Sequence, residues 1–224
     1  MKLYYPNVLS EDATLDEILK GRSVARYGDG EIRLMFGGTS ASQKADKSLA
    51  VELRMILMDS DPRVLPCIPN ARSKTPKAKN WEKYTIPKIT TKYTLPVYGS
   101  SFITRPDSAP WIDRPDYWDR MTSIWAGKDV TLVIGSQRSL TPARMSVAKS
   151  IRVVEGTYRD SYQIINELME KIGRPAGPVI LCLGATATVM ASRLAKIDVH
   201  AVDLGHYGMM AKHKCTGRWS SKKE

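Results

Sequence analysis

A chain of 224 residues with 42% hydrophobic and 25% charged residues has the composition of one ordinary globular domain, which excludes a chain disordered throughout. No apolar run approaches the roughly 18 residues of a membrane span, and three widely spaced cysteines (Cys67, Cys182, Cys215) speak against a disulfide framework. Lys+Arg 34 against Asp+Glu 23 leave a net charge of +11, a field that attracts polyanions or serves solubility alone. The stretch from Met1 to Ser10 lacks the basic and apolar regions of a secretory signal, so a cytoplasmic protein is expected, in the host cytoplasm if phage-encoded.

In chain order, Thr14-Leu15-Asp16-Glu17 reads as a capping box that starts a short helix closed by Gly21. Ser23 to Tyr27 reads as a strand running into a turn, Gly28-Asp29-Gly30-Glu31. Asp46 to Met58 is helical, with Leu49, Leu53, Ile56 and Leu57 on one face, and Val64 to Ile68 is a short strand that Pro66 places near an edge. From residue 69 to 120 the periodicity fades among Pro76, Pro87, Pro96, Pro106, Pro110 and Pro115, which predicts a long basic and aromatic surface excursion. The second half is clearer. Asp129 to Gly135, Ser150 to Val154, Val179 to Gly184 and Val199 to Leu204 are strands, with helices over Ser161 to Ile172 and Thr186 to Lys196. Continuous apolar strands alternating with helices predict a single α/β domain over 1–224, a Rossmann-like and mostly parallel sheet with helices on both faces. A basic tail over 207–224 closes it.

In such sheets ligands bind beyond the carboxyl ends of the strands. Strand ends here carry Arg26 to Glu31, Gly135-Ser136-Gln137-Arg138, Gly184 to Thr188, and Asp203-Leu204-Gly205-His206. Asp29 and Glu31 are hard oxygen ligands suited to Mg²⁺ or Mn²⁺, or else two solvated acids of an ordinary turn. Gly184 opens a helix whose free N–H groups form an anion site, with Thr186 and Thr188 as added donors, or is simply a tight turn. Arg138 and Arg144 can clamp phosphate oxygens or lie on the surface, and His206 can be a phosphate donor, a base or a structural histidine. Together these positions agree on one ligand, a diphosphate with a divalent cation.

Ala25-Arg26-Tyr27-Gly28-Asp29-Gly30-Glu31 resembles the R-[FY]-G-D-G-E signature of the GT-D-type glycosyltransferases. Tyr98 to Pro106, Ile124 to Val130, Leu183 to Val189 and Asp203 to His206 are similar to further stretches of that family in the same order. The resemblance implies a GT-D-like fold, a UDP-sugar donor, and a DxE motif of Asp29 and Glu31 serving Mn²⁺ or Mg²⁺. It places the turn of Gly184, Thr186 and Thr188, with His206, around the donor. Arg26, Gly28, Gly135, Ser136 and Arg138, at the other strand ends, are assigned to the same pocket. Asp29, Glu31, Asp203 and His206 are the catalytic candidates, Asp203 and His206 as alternative bases to Asp29. Thr157 to Ser161 departs from the Asn-Ala pair of relatives, which puts base or sugar selectivity in question.

Basic residues interleaved with aromatics, among them Lys74, Lys77, Lys79 and Trp81, suit phosphate tracking with base stacking. With Arg105 they are assigned to an acceptor, favoured as a hydroxymethylated base (5-hydroxymethylcytosine) in DNA, which must be extruded to react. A protein-linked or surface glycan as acceptor, and a non-catalytic nucleic-acid-binding module, are the alternatives.

Overall fold

The computed structural model describes residues 5–70, 95–105, 114–135, 140–205 and 207–208. Its frame is an eight-stranded sheet in which every strand pairing is parallel. The strands are β1 (Asn7–Val8), β2 (Ser23–Arg26), β3 (Val64–Ile68), β4 (Val97–Ser100), β5 (Asp129–Ile134), β6 (Ser150–Glu155), β7 (Val179–Cys182) and β8 (Ala201–Asp203). They lie in the order β1-β4-β3-β2-β8-β7-β5-β6. The helices are α1 (Glu11–Leu19), α2 (Asp29–Met35), α3 (Lys47–Leu57), α4 (Pro115–Thr122), α5 (Ile165–Ile172) and α6 (Ala185–Ala195). The expected α/β class is observed, and among the described residues no helix is long and apolar enough to cross a membrane.

Strand residues alternate between two apolar layers, as successive side chains of a strand must. Ala25, Val64, Ile68, Val133, Leu181 and Ala201 pack in one layer with residues of α2, α3, α5 and α6. Val24, Leu65, Cys67, Leu132, Ile180 and Val202 pack in the other with residues of α1 and α4. Helix α3 forms as its periodicity predicts. The Asp46 carboxylate caps it by accepting from the Leu49 N–H, and Leu49, Leu53, Ile56 and Leu57 are buried.

Several expectations are corrected. Helix α1 starts at Glu11, a turn earlier than the capping box at Thr14 predicts. Ser10 is the N-cap, its hydroxyl accepting from the Ala13 N–H at 3.1 Å, and the Thr14 hydroxyl instead donates to the Ser10 carbonyl at 2.8 Å. Glu11 and Asp12 thereby occupy the first turn, where the helix dipole favours acids.

Strand β3 is interior, between β2 and β4, despite Pro66. The Tyr27 N–H donates to the Cys67 carbonyl, so by alternation the Pro66 nitrogen faces β4. Pairing with β4 begins only at Cys67, and no ladder donor is needed at the proline.

The span 69–120 is more than a surface excursion. It supplies β4 to the sheet and α4 to one apolar layer, with Tyr98, Phe102, Ile103, Tyr117 and Trp118 buried. These elements are short and proline-flanked, which is why they leave little periodicity. Residues 71–94 and 106–113, the remainder of that span apart from its margins, lie outside the described residues, as does the tail beyond 208.

The two halves of the sheet meet at β2 and β8, where an early strand and the last strand of the chain become neighbours. Val24↔Val202 is the one register pair of that seam among the described residues. Side chains extend it: the Ser23 hydroxyl accepts from the Ala201 N–H at 2.9 Å, and the Arg26 Nε donates to the Asp203 carbonyl at 2.9 Å.

Interior placement of β4 leaves no room beside its glycine. A Cβ on Gly99 would lie 2.4 Å from the Cys67 Sγ and 3.0 Å from a Leu65 methyl. Gly99→Ala is therefore expected to lower the unfolding free energy by about 1–3 kcal/mol in denaturant titrations. An unchanged midpoint would show that β4 does not pack on β3 as described.

Candidate functional site

The carboxyl ends of β2, β4, β5, β6, β7 and β8 surround a cavity of about 410 Å³. It lies beyond the carboxyl ends of the strands, the β2/β8 seam among them, where open α/β sheets bind ligands.

Its first wall is the start of α2. The sequence predicts a turn at Gly28 to Glu31, but the helix begins directly after Gly28, which is its N-cap. Glu31, at the third helical position, folds back so that its Oε2 accepts from the Gly28 N–H at 2.7 Å. The two acids thus stand in the first turn of a helix, Asp29 exposed and Glu31 partly buried. Burial, reinforced by the neighbouring Asp203 charge, pushes the Glu31 carboxyl up to about 7.

The floor is built on Asp203, 2% exposed at the end of β8. Burial raises its pKa, opposed by the Arg26 guanidinium and by hydrogen bonds from the Arg26 backbone and Thr188. Its Oδ2 accepts from the Thr188 hydroxyl at 3.3 Å and the Arg26 N–H at 3.4 Å, and its Oδ1 lies 3.6 Å from the Arg26 Nε. Among the described residues that Oδ1 has no hydrogen-bond donor. Arg26 also donates from Nη1 to the Ser101 carbonyl at 3.2 Å and to the Thr104 hydroxyl. Its guanidinium braces β2, β8 and the turn after β4, and is more committed to the fold than a free phosphate clamp would be.

The facing wall is the start of α6. Gly184, its N-cap, lies at φ 59°, a left-handed backbone that suits glycine, and lines the cavity. Thr186 and Thr188, expected as donors to a ligand, are 1% and 0% exposed and do not line it. Thr188 instead donates to the Arg26 carbonyl at 2.8 Å. Both side chains are buried, so only the backbone start of α6 remains for a ligand.

The cavity brings Arg26, Gly28, Asp29, Glu31, Gly135, Gly184 and Asp203 together, as expected from the strand ends. Arg105, expected on an acceptor surface, also lines it, beside Ser101 and Phe102. Arg144 does not line it; its guanidinium donates to the Gly208 carbonyl. Ser136, Arg138, His206, Lys74, Lys77, Lys79 and Trp81 lie outside the described residues. Arg33, Ser40, Ala41, Ser42 and Tyr158 line the cavity without having been expected there. The run Gly37 to Ser42 carries an ordinary loop signature, and nothing local says that it folds over the strand ends.

The family model for the glycosyltransferase GT-D fold matches residues 24–211. The chain is 30% identical to the "Probable glycosyl transferase Gly" of Streptococcus gordonii, over 93% of this chain and 34% of that protein. It is 28% identical to the glycosyltransferase GlyD of Streptococcus pneumoniae serotype 4, over 87% of this chain and 26% of that protein. The chain therefore spans about a third or less of the length of these curated relatives. Among solved structures it is similar to a glycosyltransferase (DUF1792) from Streptococcus sanguinis, with TM-score 0.87 and 27% identity over 98% of this chain and 88% of that one. A domain of unknown function 1792, described as having a distinct glycosyltransferase fold, gives TM-score 0.87 and 28% identity over 98% of this chain and 85% of that one.

The Glu31 environment predicts a pH dependence for the metal-free protein. The folded state holds this proton more tightly than the unfolded chain, so the group's contribution to stability is complete below about pH 4.5 and is lost as pH rises through about 7. Glu31→Gln cannot ionise, and its stability relative to wild type should rise between pH 4.5 and 8 in denaturant titrations. A difference that stays constant across that range would exclude a raised Glu31 pKa.

Proposed function

Since the chain belongs to the GT-D-fold glycosyltransferases, its family model covering residues 24–211, we propose that its strand-end cavity binds a UDP-sugar and that the sugar passes to a hydroxyl acceptor. The observation that carries this reading is the convergence, at the carboxyl ends of the strands, of the acidic first turn of α2 and the glycine-capped start of α6. The start of α6 offers backbone N–H groups and a favourable dipole to the diphosphate.

Asp29 and Glu31 are the carboxylates that would hold Mg²⁺ or Mn²⁺. Among the described residues no three metal-type side chains cluster. A pair of carboxylates is a donor set that suits these ions, which keep several waters and take the remaining oxygens from substrate phosphates. A bound cation would neutralise charge on the departing diphosphate.

Where Glu31 alone serves the cation, Asp29, the more exposed of the two acids, is the base for the acceptor hydroxyl. Asp203 is 2% exposed and already accepts from Thr188 and the Arg26 backbone, which suits it to holding the floor. A base must come within hydrogen-bond reach of the acceptor oxygen. The acceptor proposed is a 5-hydroxymethylcytosine in DNA, supported by the net charge of +11 and by the basic and aromatic residues Lys74, Lys77, Lys79 and Trp81.

The test is UDP release from a panel of UDP-sugars with Mn²⁺, with and without duplex DNA carrying 5-hydroxymethylcytosine. Release stimulated by that DNA and not by unmodified DNA is the expected result. Release with donor alone would retain the glycosyltransferase and move the acceptor to glycans, whereas no release from any sugar would favour a non-catalytic module. Asp29→Asn and Glu31→Gln should each reduce transfer by about 10²-fold or more. Near-normal turnover in both would remove the acidic pair from the reaction.

A further inference from the structure

The loop between α2 and α3 is held as a strap by residues behind the cavity wall. Asp160, beyond the end of β6, adopts φ 55° and ψ 32°, in the left-handed region. Its Oδ1 accepts from the Lys44 N–H at 2.8 Å and from the Gln43 side-chain amide at 3.3 Å. Its own N–H donates to the Ser42 carbonyl at 2.9 Å. Gln43 is 5% exposed; its Oε1 accepts from the Tyr162 N–H at 3.3 Å and its carbonyl from the Ser40 N–H at 2.9 Å. Residues 40–44 are therefore pinned on both their backbone and a buried side chain, which is more than a surface loop needs.

What the strap presents is a hydroxyl at the start of α6. Ser40, Ala41 and Ser42 line the cavity, while Asp160 does not. A Cβ placed on Gly184 would lie 2.8 Å from the Ser42 Oγ, so the hydroxyl sits directly against the N-cap of an 11-residue helix. A serine hydroxyl beside backbone N–H groups is an arrangement that recognises a phosphate oxygen.

We propose that Ser42 donates its hydroxyl to the donor's diphosphate at the start of α6, and that Asp160 is the positioning residue that holds it there. This inference rests on the UDP-sugar reading above and adds to it a phosphate contact and its support. Asp160 touches no substrate and acts only through the strap.

The left-handed backbone at Asp160 makes a clean test possible. Asp160→Gly tolerates that φ and removes only the carboxylate, whereas Asp160→Asn keeps an oxygen acceptor in the same place. UDP binding with Mn²⁺ would be measured by calorimetry for both variants and for Ser42→Ala, alongside melting temperatures. Asp160→Gly and Ser42→Ala should each weaken UDP by about tenfold, the loss of one hydrogen bond to a charged group. The melting temperature of Ser42→Ala should stay near wild type, that of Asp160→Gly should fall by a few degrees while the protein remains folded, and Asp160→Asn should restore binding. In the UDP-release assay the KM for the donor should rise while kcat changes little. Wild-type-like binding by Asp160→Gly or Ser42→Ala would overturn the inference, as would failure of Asp160→Asn to rescue. Wild-type protein that binds no UDP would overturn the donor reading and this inference with it.

Discussion

The seam between β2 and β8 is the joint on which the rest of the molecule depends. Its ladder has a single register pair among the described residues, Val24↔Val202, yet it must join the two halves of an eight-stranded sheet. Ser23 closes one end through the Ala201 N–H, and Arg26, Asp203 and Thr188 close the other. The Arg26 and Asp203 side chains are 11% and 3% exposed. A buried pair of this kind gains little net stability, because desolvation offsets the attraction, but loss of either partner strands the other charge. Its value is geometric: it sets how the two strand ends stand to each other.

That joint is also the cavity floor, and it divides the polar residues into those holding the site and those facing a ligand. Arg26 is spent on carbonyls of β8 and of the turn after β4, and Thr188 on the Arg26 carbonyl. Burial, with the nearby Asp203 charge second to it, makes the Glu31 carboxyl resist ionisation. A cation would relieve the repulsion that the fold builds in. The acidic first turn of α2 and the start of α6 face each other across this floor, and the strap from Ser40 to Lys44 runs between them.

How far the sequence could be read depended on whether a segment's pattern is local. Helix α3 was legible because its cap and its apolar face lie within one stretch, Asp46 to Leu57. Strands β5 and β7 were legible because burial on both faces leaves an unbroken apolar run. Pro66 misled because the tolerance for proline depends on which neighbour its nitrogen faces, and that is a property of the sheet. Strand β4 and helix α4 were hidden in a proline-rich texture, their buried aromatics too few to mark a period. Among site residues, Asp29, Glu31, Gly184 and Asp203 announced themselves at strand ends, where chemistry is expected. Thr186 and Thr188 stood in the right stretch but are buried and do not line the cavity, and Ser42 stood in a stretch with no signal at all.

The sequence by itself determined the α/β class, the positions of most second-half elements, the strand ends that carry chemistry and the resemblance to a glycosyltransferase family. These follow from periodicity and short motifs, which are written in neighbouring residues. Only the tertiary structure decided that β3 and β4 are interior, that Arg26 and Thr188 brace the seam, and that Asp160 reaches Lys44 across more than a hundred residues of chain. Those outcomes turn on strand order and on the direction of each side chain after packing, and neither is encoded in the spacing of residues along the chain.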